Sequence, residues 1–301
     1  MTSYALDGVL VVDKPSGPTS HDVVARLRRT LGTSRIGHTG TLDPMATGVL
    51  PLVIGRATRL ARFLSAGEKE YRAVIKLGCS TDTDDATGKP VAEAGARERP
   101  VSLPSPGAVA EALRSFVGVQ MQEPPAYSAK KVGGVRSYAI ARRGVAVRPA
   151  AAKVGVARLD LLGMEGDFVF ISLECSAGFY VRSLARDLGA RLGVGAHLSA
   201  LRRVRSGEFS EEEAVPLEAL ELEPGDAASR LRPIDRLLTH LPSLALTDEG
   251  LRMARSGQDV LAERLSDQLP FVRLTDGSGR LVAVAEPSRR PGFLHPCIVL
   301  V

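Results

Sequence analysis

Apolar and polar residues alternate regularly in KEYRAVIKLG, residues 69–78. Tyr71, Ala73, Ile75 and Leu77 share one side of this stretch if it is extended, because successive side chains of a strand point to opposite faces. The pattern therefore predicts a strand with one buried face. Apolar runs bounded by glycine or proline predict further strands at residues 6–17, 48–55 and 167–178.

Apolar residues at helical spacing predict helices between these strands, and residues 19–32 show the signals most fully. Val23 and Leu27 share one face there. Ser20 can cap the first turn, and Gly32 can end the last one. Further helical segments are predicted at residues 57–65, 107–118, 179–193 and 216–238.

The end of the chain has a different character. A helix capped by Thr247 is followed by short apolar runs at residues 271–275, 280–286 and 297–301, and the turn sequence DGSG joins the first two. This pattern predicts a small β-rich second domain.

The composition points to an ordinary intracellular globular protein. With 301 residues, 44% of them hydrophobic, the chain can form one large domain plus a small one, or two domains. Its first residues lack the features of a signal peptide, and its apolar runs are too short to span a bilayer. The three cysteines lie far apart, which fits a reducing cytosol. We therefore expect a soluble cytoplasmic protein.

Two stretches approach the pattern of a cofactor site but lack a required residue. GTSRIGH has the glycine spacing of a P-loop, yet His38 occupies the lysine position. DTDDATGKPVAE, residues 82–93, has Thr87 where a calcium loop needs glycine, so we interpret it as a surface turn rich in capping residues. The five histidines lack the spacing of zinc ligands. These observations favour an activity without a metal or a cofactor.

A single carboxylate, Asp43, stands among glycines and threonines in GHTGTLDPMATGVLPLVIG, residues 37–55. Pro44 disfavours helical dihedrals at Asp43, and the glycines allow a ligand to approach the backbone. An aspartate before proline usually caps a turn, which is the simplest interpretation of the local chemistry. The alternative is a reactive carboxylate beside a polar ligand.

Charge is distributed unevenly along the chain. Residues Ala126–Arg158 contain eight lysines and arginines and no acid. Such a one-sided field attracts a polyanion, although a solvated basic face would have the same composition. The pattern leaves both a nucleic-acid contact and a solvated surface open.

Five blocks, in order from about Gly8 to Gly207, resemble the motifs of the bacterial TruB family of tRNA pseudouridine-55 synthases. They are GVLVVDKPSGPTSHDVV, GHTGTLDPMATGVLPLVIGRATRL, KEYRAVIKLGCSTDTDDATG, PPAYSAKKVGGVRSYAIARRG and CSAGFYVRSLARDLGARLGVGAHLSALRRVRSG. The resemblance implies an α+β fold whose catalytic domain, residues 1–240, has a mixed, mainly antiparallel central sheet. It also implies an RNA-contacting insertion at about residues 120–150 and a small β-rich PUA-like domain at residues 241–301.

The activity implied by the resemblance is that of an isomerase, which converts the T-loop uridine of tRNA to pseudouridine with an aspartate and no cofactor. Asp43 matches the essential aspartate of the family, and Arg182 matches the arginine that pairs with it. An arginine would keep such a carboxylate charged in a dehydrated pocket. The residues that match substrate-binding positions are His38, Tyr71, Tyr180, Arg182, Leu201 and Lys14.

The basic stretch within residues 126–158 resembles the insertion that binds the tRNA T arm in this family. The candidates for contacts with the RNA backbone are Lys130, Lys131, Arg136, Arg142 and Arg143. We expect a monomer without an obligatory protein partner and without a membrane contact. Two alternatives are a guide-dependent rRNA pseudouridine synthase of the same superfamily and a tRNA-binding or folding module in which catalysis is secondary.

Overall fold

The structure, a computed structural model, describes residues 6–91, 102–128, 130–132, 134–137, 140, 149–262 and 269–300. The helices are α1 Ser20–Thr30, α2 Ala61–Ala66, α3 Pro106–Arg114, α4 Val181–Leu192, α5 Leu217–Leu222 and α6 Asp248–Arg255. Short 3-10 turns lie at Gly55–Leu60, Glu211–Glu213, Pro224–Ala228 and Ile234–Arg236. Among the helices that the structure describes, none combines the length and the apolarity that crossing a bilayer requires.

The strands fall into a large sheet, a smaller C-terminal sheet and two short hairpins. The strands of the large sheet are β1 Gly8–Lys14, β2 Ile36–His38, β3 Thr47–Ile54, β4 Lys69–Leu77, β7 Gly118–Gln122, β10 Ala152–Glu165, β11 Phe168–Cys175, β12 Ala196–Ser206, β13 Phe209–Ser210, β14 Val215–Pro216 and β15 Arg232–Pro233. The hairpins are β5 Ser80–Thr81 with β6 Pro90–Val91, and β8 Lys131–Val132 with β9 Val135–Arg136. The C-terminal sheet contains β16 Ser243–Ala245, β17 Val260–Leu261, β18 Val272–Thr275, β19 Leu281–Pro287 and β20 Phe293–Val299.

The large sheet is mixed and mainly antiparallel. Its eleven strands include the path β14-β1-β3-β12-β4-β11-β10-β7, with β2, β13 and β15 attached beside it. Along that path only β14 beside β1 and β3 beside β12 run parallel. The predicted α+β fold is therefore confirmed. Strand β7 shows that the sheet continues to Gln122, so the inserted segment leaves the sheet after that residue.

Both faces of this sheet carry apolar side chains. In β1, Leu10 and Val12 contribute to one core, which α1, α3 and α4 cover, whereas Val9 and Val11 contribute to a second core. Strand β4 buries the four residues that its alternation predicted, among them Tyr71, in the first core. Two of the helices over the first core, α1 and α4, also contact the loop of Asp43.

The C-terminal sheet, in the order β16-β18-β19-β20-β17, packs on the second core. Val284 and Ile298 from this sheet join Val11 and Val53 from the large one. The Arg56 guanidinium also donates to the Leu300 carbonyl at 2.8 Å. The predicted β-rich C-terminal part is confirmed, and a continuous apolar core connects it to the large sheet.

Two predictions of local structure were wrong. Thr19, not Ser20, caps α1: its hydroxyl accepts from the Asp22 amide at 3.1 Å, and the Asp22 carboxylate accepts from the Thr19 amide at 2.9 Å. The helical segment expected at residues 216–238 contains only one short helix, α5, because Pro224 begins a separate turn. The surface turn predicted at DTDDATGKPVAE is confirmed for its described residues, 82–91, which are mostly exposed, but Asp85 within it is buried. The sequence analysis also did not predict the long strands β10 and β12.

Candidate active site around Asp43

Asp43 lies in the loop between β2 and β3, and 32% of its side chain is exposed. The Ser20 hydroxyl fixes the start of the loop by accepting from the Leu42 amide at 2.8 Å. The Asp43 carbonyl accepts from the Ala46 amide at 3.0 Å and closes a turn. The backbone of Asp43 thus has the turn role expected of an Asp-Pro pair, while its carboxylate is free for a second role.

Lys14 fixes the other side of this loop. Its side chain is fully buried, and Nζ donates to the carbonyl oxygens of Pro15 at 2.9 Å, Pro44 at 3.1 Å and Ala46 at 2.7 Å. Burial lowers the pKa of Lys14 to about 8, because removing an ammonium group from water disfavours its charged form. Lys14 therefore supports the Asp43 neighbourhood through the backbone of the loop.

The depressed pKa of Lys14 predicts a pH-dependent stability. Unfolded Lys14 regains its ordinary pKa of 10.5, so between pH 8 and 10.5 the unfolded chain binds more protons and this residue makes stability rise with pH. Relative to Lys14→Met, the wild-type free energy of unfolding should increase by up to about 3 kcal/mol over this range. Urea titrations of both proteins at pH 7.5 and 10 measure the difference. A difference that does not change with pH would contradict the desolvation of Lys14.

Arg182, in the first turn of α4, forms a two-point ion pair with Asp43. Its Nε donates to Asp43 Oδ2 at 2.8 Å and its Nη2 to Asp43 Oδ1 at 3.0 Å. The guanidinium is only 5% exposed, and it also donates to the carbonyls of Thr83 at 3.3 Å and Tyr127 at 3.0 Å. A bidentate pair of this kind fixes direction as well as charge. The predicted partnership of Arg182 and Asp43 is present in the structure.

A second carboxylate, Asp85, also lies near this arginine. Asp85 Oδ2 is 3.8 Å from Arg182 Nε, and the residue is 5% exposed. Its Oδ1 accepts from Thr83 Oγ1 at 2.8 Å, from Thr87 Oγ1 at 2.6 Å and from the Thr87 amide at 2.9 Å. Arg182 Nε is therefore near two carboxylates, the buried Asp85 and the partly exposed Asp43, and its hydrogen bond goes to Asp43.

Tyr71 and Leu201 lie on neighbouring strands, β4 and β12, and each is 8% exposed. Burial raises the pKa of the Tyr71 hydroxyl, and the positive charge of Arg203 acts in the opposite direction. Arg203, opposite Tyr71 in the strand pairing, is 1% exposed and donates to the carbonyls of Val49 at 2.7 Å and Gly40 at 3.0 Å. It therefore connects the strand of Tyr71 to both ends of the Asp43 loop.

His38 and Tyr180 complete the set of predicted pocket residues. Burial, followed by the charge of Arg203, lowers the pKa of His38, so its ring is neutral at pH 7. Its Nδ1 is buried without a hydrogen-bond partner among the described residues, which suits a group that meets a ligand. Tyr180 is half-buried immediately before α4, and burial raises the pKa of its hydroxyl.

The structure describes only part of the predicted RNA-backbone set. Lys130 is exposed just before the β8–β9 hairpin, and Lys131 and Arg136 pair with each other across that hairpin. Arg142 and Arg143 lie outside the described residues.

The sequence analysis missed Asp85 and Arg203. A signal for Arg203 was present, because residues two apart in a strand share a face and Leu201 was already a pocket candidate. No comparable local signal marked Asp85. Its partner Arg182 lies about a hundred positions later in the chain, and only folding brings Arg182 Nε to 3.8 Å from Asp85 Oδ2.

Comparisons with known proteins identify the family of the chain. The sequence model of the TruB family pseudouridylate synthase N-terminal domain matches residues 28–181, and that of the tRNA pseudouridylate synthase B C-terminal domain matches residues 182–239. These matches define the class of protein as a pseudouridylate synthase. The chain belongs to the TruB family.

Relatives and solved structures support this assignment over nearly the whole chain. A tRNA pseudouridine synthase B of Solibacter usitatus (strain Ellin6076) is 43% identical, with 98% of this chain and 100% of the relative covered. The corresponding protein of Thermobifida fusca (strain YX) is also 43% identical, with 97% and 98% covered. The crystal structure of a Cbf5-Nop10-Gar1 complex contains a chain with a TM-score of 0.75 and 26% identity, with 99% of this chain and 86% of that chain covered.

Proposed function

We propose that this protein is a stand-alone tRNA pseudouridine synthase, an isomerase that converts the T-loop uridine at tRNA position 55 to pseudouridine. The observation that carries the proposal is the Asp43 carboxylate, held at 2.8 and 3.0 Å by a buried arginine and still 32% exposed. The names of the relatives at 43% identity support tRNA as the substrate and favour the stand-alone enzyme over the guide-dependent alternative.

The proposed reaction exchanges one bond of uridine for another. The bond between N1 of uracil and C1′ of ribose breaks, the base turns within the site, and C5 bonds to C1′. C5 loses its proton and N1 gains one, so the atoms balance without a cosubstrate or a cofactor. Asp43 acts at the sugar or the base as a carboxylate, in the way that glycosidase carboxylates stabilise or capture an electron-poor anomeric carbon.

The other pocket residues have roles that follow from their surroundings. Arg182 holds the Asp43 carboxylate by two hydrogen bonds and so fixes its direction in the pocket. Tyr71 and Leu201 line the position of the target base, and His38 and Tyr180 contact the extruded nucleotide. Extruding a base costs a few kcal/mol, which contacts with the RNA backbone can offset.

The segment that follows Gln122 supplies those backbone contacts, and residues 241–301 form a PUA-like domain. The protein acts in the cytoplasm as a monomer on the T arm of tRNA. A tRNA-binding role without catalysis would not require the Asp43–Arg182 pair.

Unmodified tRNA transcripts incubated with the pure protein provide the direct test. We expect pseudouridine at the T-loop position alone, and we expect conversion to continue in the presence of EDTA. A transcript in which that uridine is replaced by cytidine serves as the control for position. Conversion that requires added guide RNA, or that stops with EDTA and returns with zinc, would contradict the proposal.

Reversing Lys130 and Lys131 to glutamate should weaken tRNA binding without affecting folding. Each lost phosphate contact should also make the slope of log affinity against log salt shallower by about 0.7 for single-stranded segments. Arg72→Glu/Lys76→Glu is a matched control, because these side chains lie on the face of β4 opposite Tyr71. Equal affinity and equal salt slope in wild type and the Lys130/Lys131 variant would show that these lysines do not bind RNA.

A further inference from the structure

Gln122, the last residue of β7, forms two hydrogen bonds with the backbone of Tyr180, one of the predicted pocket residues. Its side chain is 5% exposed, and both ends of its carboxamide contact Tyr180. The Tyr180 amide donates to Gln122 Oε1 at 2.9 Å, and Gln122 Nε2 donates to the Tyr180 carbonyl at 3.1 Å. One side chain thus fixes both polar groups of a single peptide residue, which leaves that residue little rotational freedom.

Tyr180 occupies the position that determines where α4 begins. It is the N-cap residue, with φ −111° and ψ 113°, and no side chain caps the helix there. The carbonyl of Tyr180 also accepts from the Leu184 amide at 3.2 Å. Because Arg182 lies only two residues further on, the orientation of Tyr180 sets the direction in which the Arg182 guanidinium reaches Asp43.

The residues that follow Gln122 are bound to the same turn of α4. The Glu123 carbonyl accepts from Ser183 Oγ at 2.8 Å and from Arg186 Nη2 at 3.1 Å. The Tyr127 carbonyl accepts from Arg182 Nη2 at 3.0 Å. The base of the inserted segment and the first turn of α4 therefore form one hydrogen-bonded unit.

We propose that Gln122 is a positioning residue for the reaction: its carboxamide holds Tyr180, and through it the first turn of α4, so that Arg182 meets Asp43 in the bidentate geometry. The inference rests on the proposed function. Gln122 itself touches neither Asp43 nor the position of the target base. Its effect on the reaction passes through the geometry of α4, and the same contact joins the pocket to the segment that binds RNA.

The test is Gln122→Met, which preserves much of the side-chain volume and removes both hydrogen bonds. The single-turnover rate at saturating enzyme should fall by about 10- to 100-fold, since small displacements of reacting groups have effects of this size. The Kd for tRNA should stay at the wild-type value, because the phosphate contacts lie elsewhere. Gln120→Met is the matched control. Gln120 lies in the same strand, but its Nε2 donates to the Phe116 carbonyl at 2.9 Å and not to Tyr180. The single-turnover rate of Gln120→Met should therefore equal that of the wild-type protein.

A double variant separates positioning from general damage to the fold. In the Arg182→Met background, Gln122→Met should cause little further loss of rate, because the group that it positions is already gone. A merely structural role would lower the rate by the same factor in both backgrounds. If Gln122→Met does not fold, Gln122→Glu is used under the same criteria, because it keeps the acceptor for the Tyr180 amide.

Three results would overturn the inference: a wild-type rate in folded Gln122→Met, a loss of equal size in Gln120→Met, or a loss explained entirely by weaker tRNA binding. Failure of the proposed function is distinguishable from these outcomes. In that case the wild-type protein itself converts no tRNA uridine, whatever the rates of the variants.

Discussion

Asp43→Asn should abolish pseudouridine formation at every pH while leaving tRNA binding close to wild type. The amide cannot supply the charge or the nucleophilic oxygen, and raising the pH does not restore them. We expect a rate loss on the order of 10⁴-fold or more, the size seen when a catalytic side chain is removed. Single-turnover assays from pH 6 to 9 and filter-binding measurements provide the two readouts.

The chain offers a closely matched control for this change. Asp13 is 30% exposed and is also held by an arginine at two points, with both Asp13–Arg202 contacts at 3.0 Å. Asp13→Asn therefore loses a bidentate ion pair from a carboxylate of similar exposure on strand β1, although Arg202 is 35% exposed and Arg182 only 5%. Its rate should remain near wild type. Equal losses in the two variants would mean that Asp43 matters for the fold, and measurable activity in Asp43→Asn would exclude an essential carboxylate.

Arg182→Met should slow the reaction by about 100-fold at pH 7, with part of the loss recovered as the pH rises. The Asp43 carboxylate loses both hydrogen bonds that fix its direction, and loss of a neighbouring positive charge favours the protonated form of a carboxylate. The acid limb of the rate profile should therefore move to higher pH. The recovery is incomplete because the Tyr127 and Thr83 carbonyls also lose their donor.

The matched comparison for this second change is Arg202→Met, which breaks the Asp13 pair and should leave the pH profile of the rate unaltered. Arg182→Met and Asp43→Asn should differ in one respect, since only the arginine variant responds to pH. A profile for Arg182→Met that is equally slow from pH 6 to 9 would show that the arginine orients the nucleotide and does not maintain the charge of Asp43.

Sequence reasoning identified those site residues that lie in compact motifs. His38 ends β2 and Asp43 lies in the short loop that follows, so one sequence motif contains both. The alternation in β4 places Tyr71 on the buried face of that strand. Local pattern and family resemblance together were therefore sufficient to identify these three residues. Strands β1, β3 and β11 were predicted from apolar runs bounded by glycine or proline, and β4 was predicted from its alternation. Alternation is visible in a sequence wherever one face of a strand is buried and the other is wet.

The remaining parts depend on contacts between distant segments. Strand β12 was missed because its buried face carries Arg203 where an apolar residue is expected. Asp85 lies in a stretch whose threonines and aspartates suit any surface turn, and its burial follows from contacts with α4 and β12, which are distant in the chain. Burial of a charged group is decided by its three-dimensional partners, which a local pattern does not contain.

The apolar core common to the large and C-terminal sheets limits how the protein can be divided in an experiment. Val11 and Val53 are 3% and 1% exposed because residues such as Val284 and Ile298 cover them. A chain cut after residue 240 would present that apolar face to water and become prone to aggregation. If the shortened chain bound tRNA more weakly, the measurement would not distinguish a damaged fold from the loss of RNA contacts. Point substitutions on the outer surface of the C-terminal sheet are the sounder means of measuring its share of the affinity.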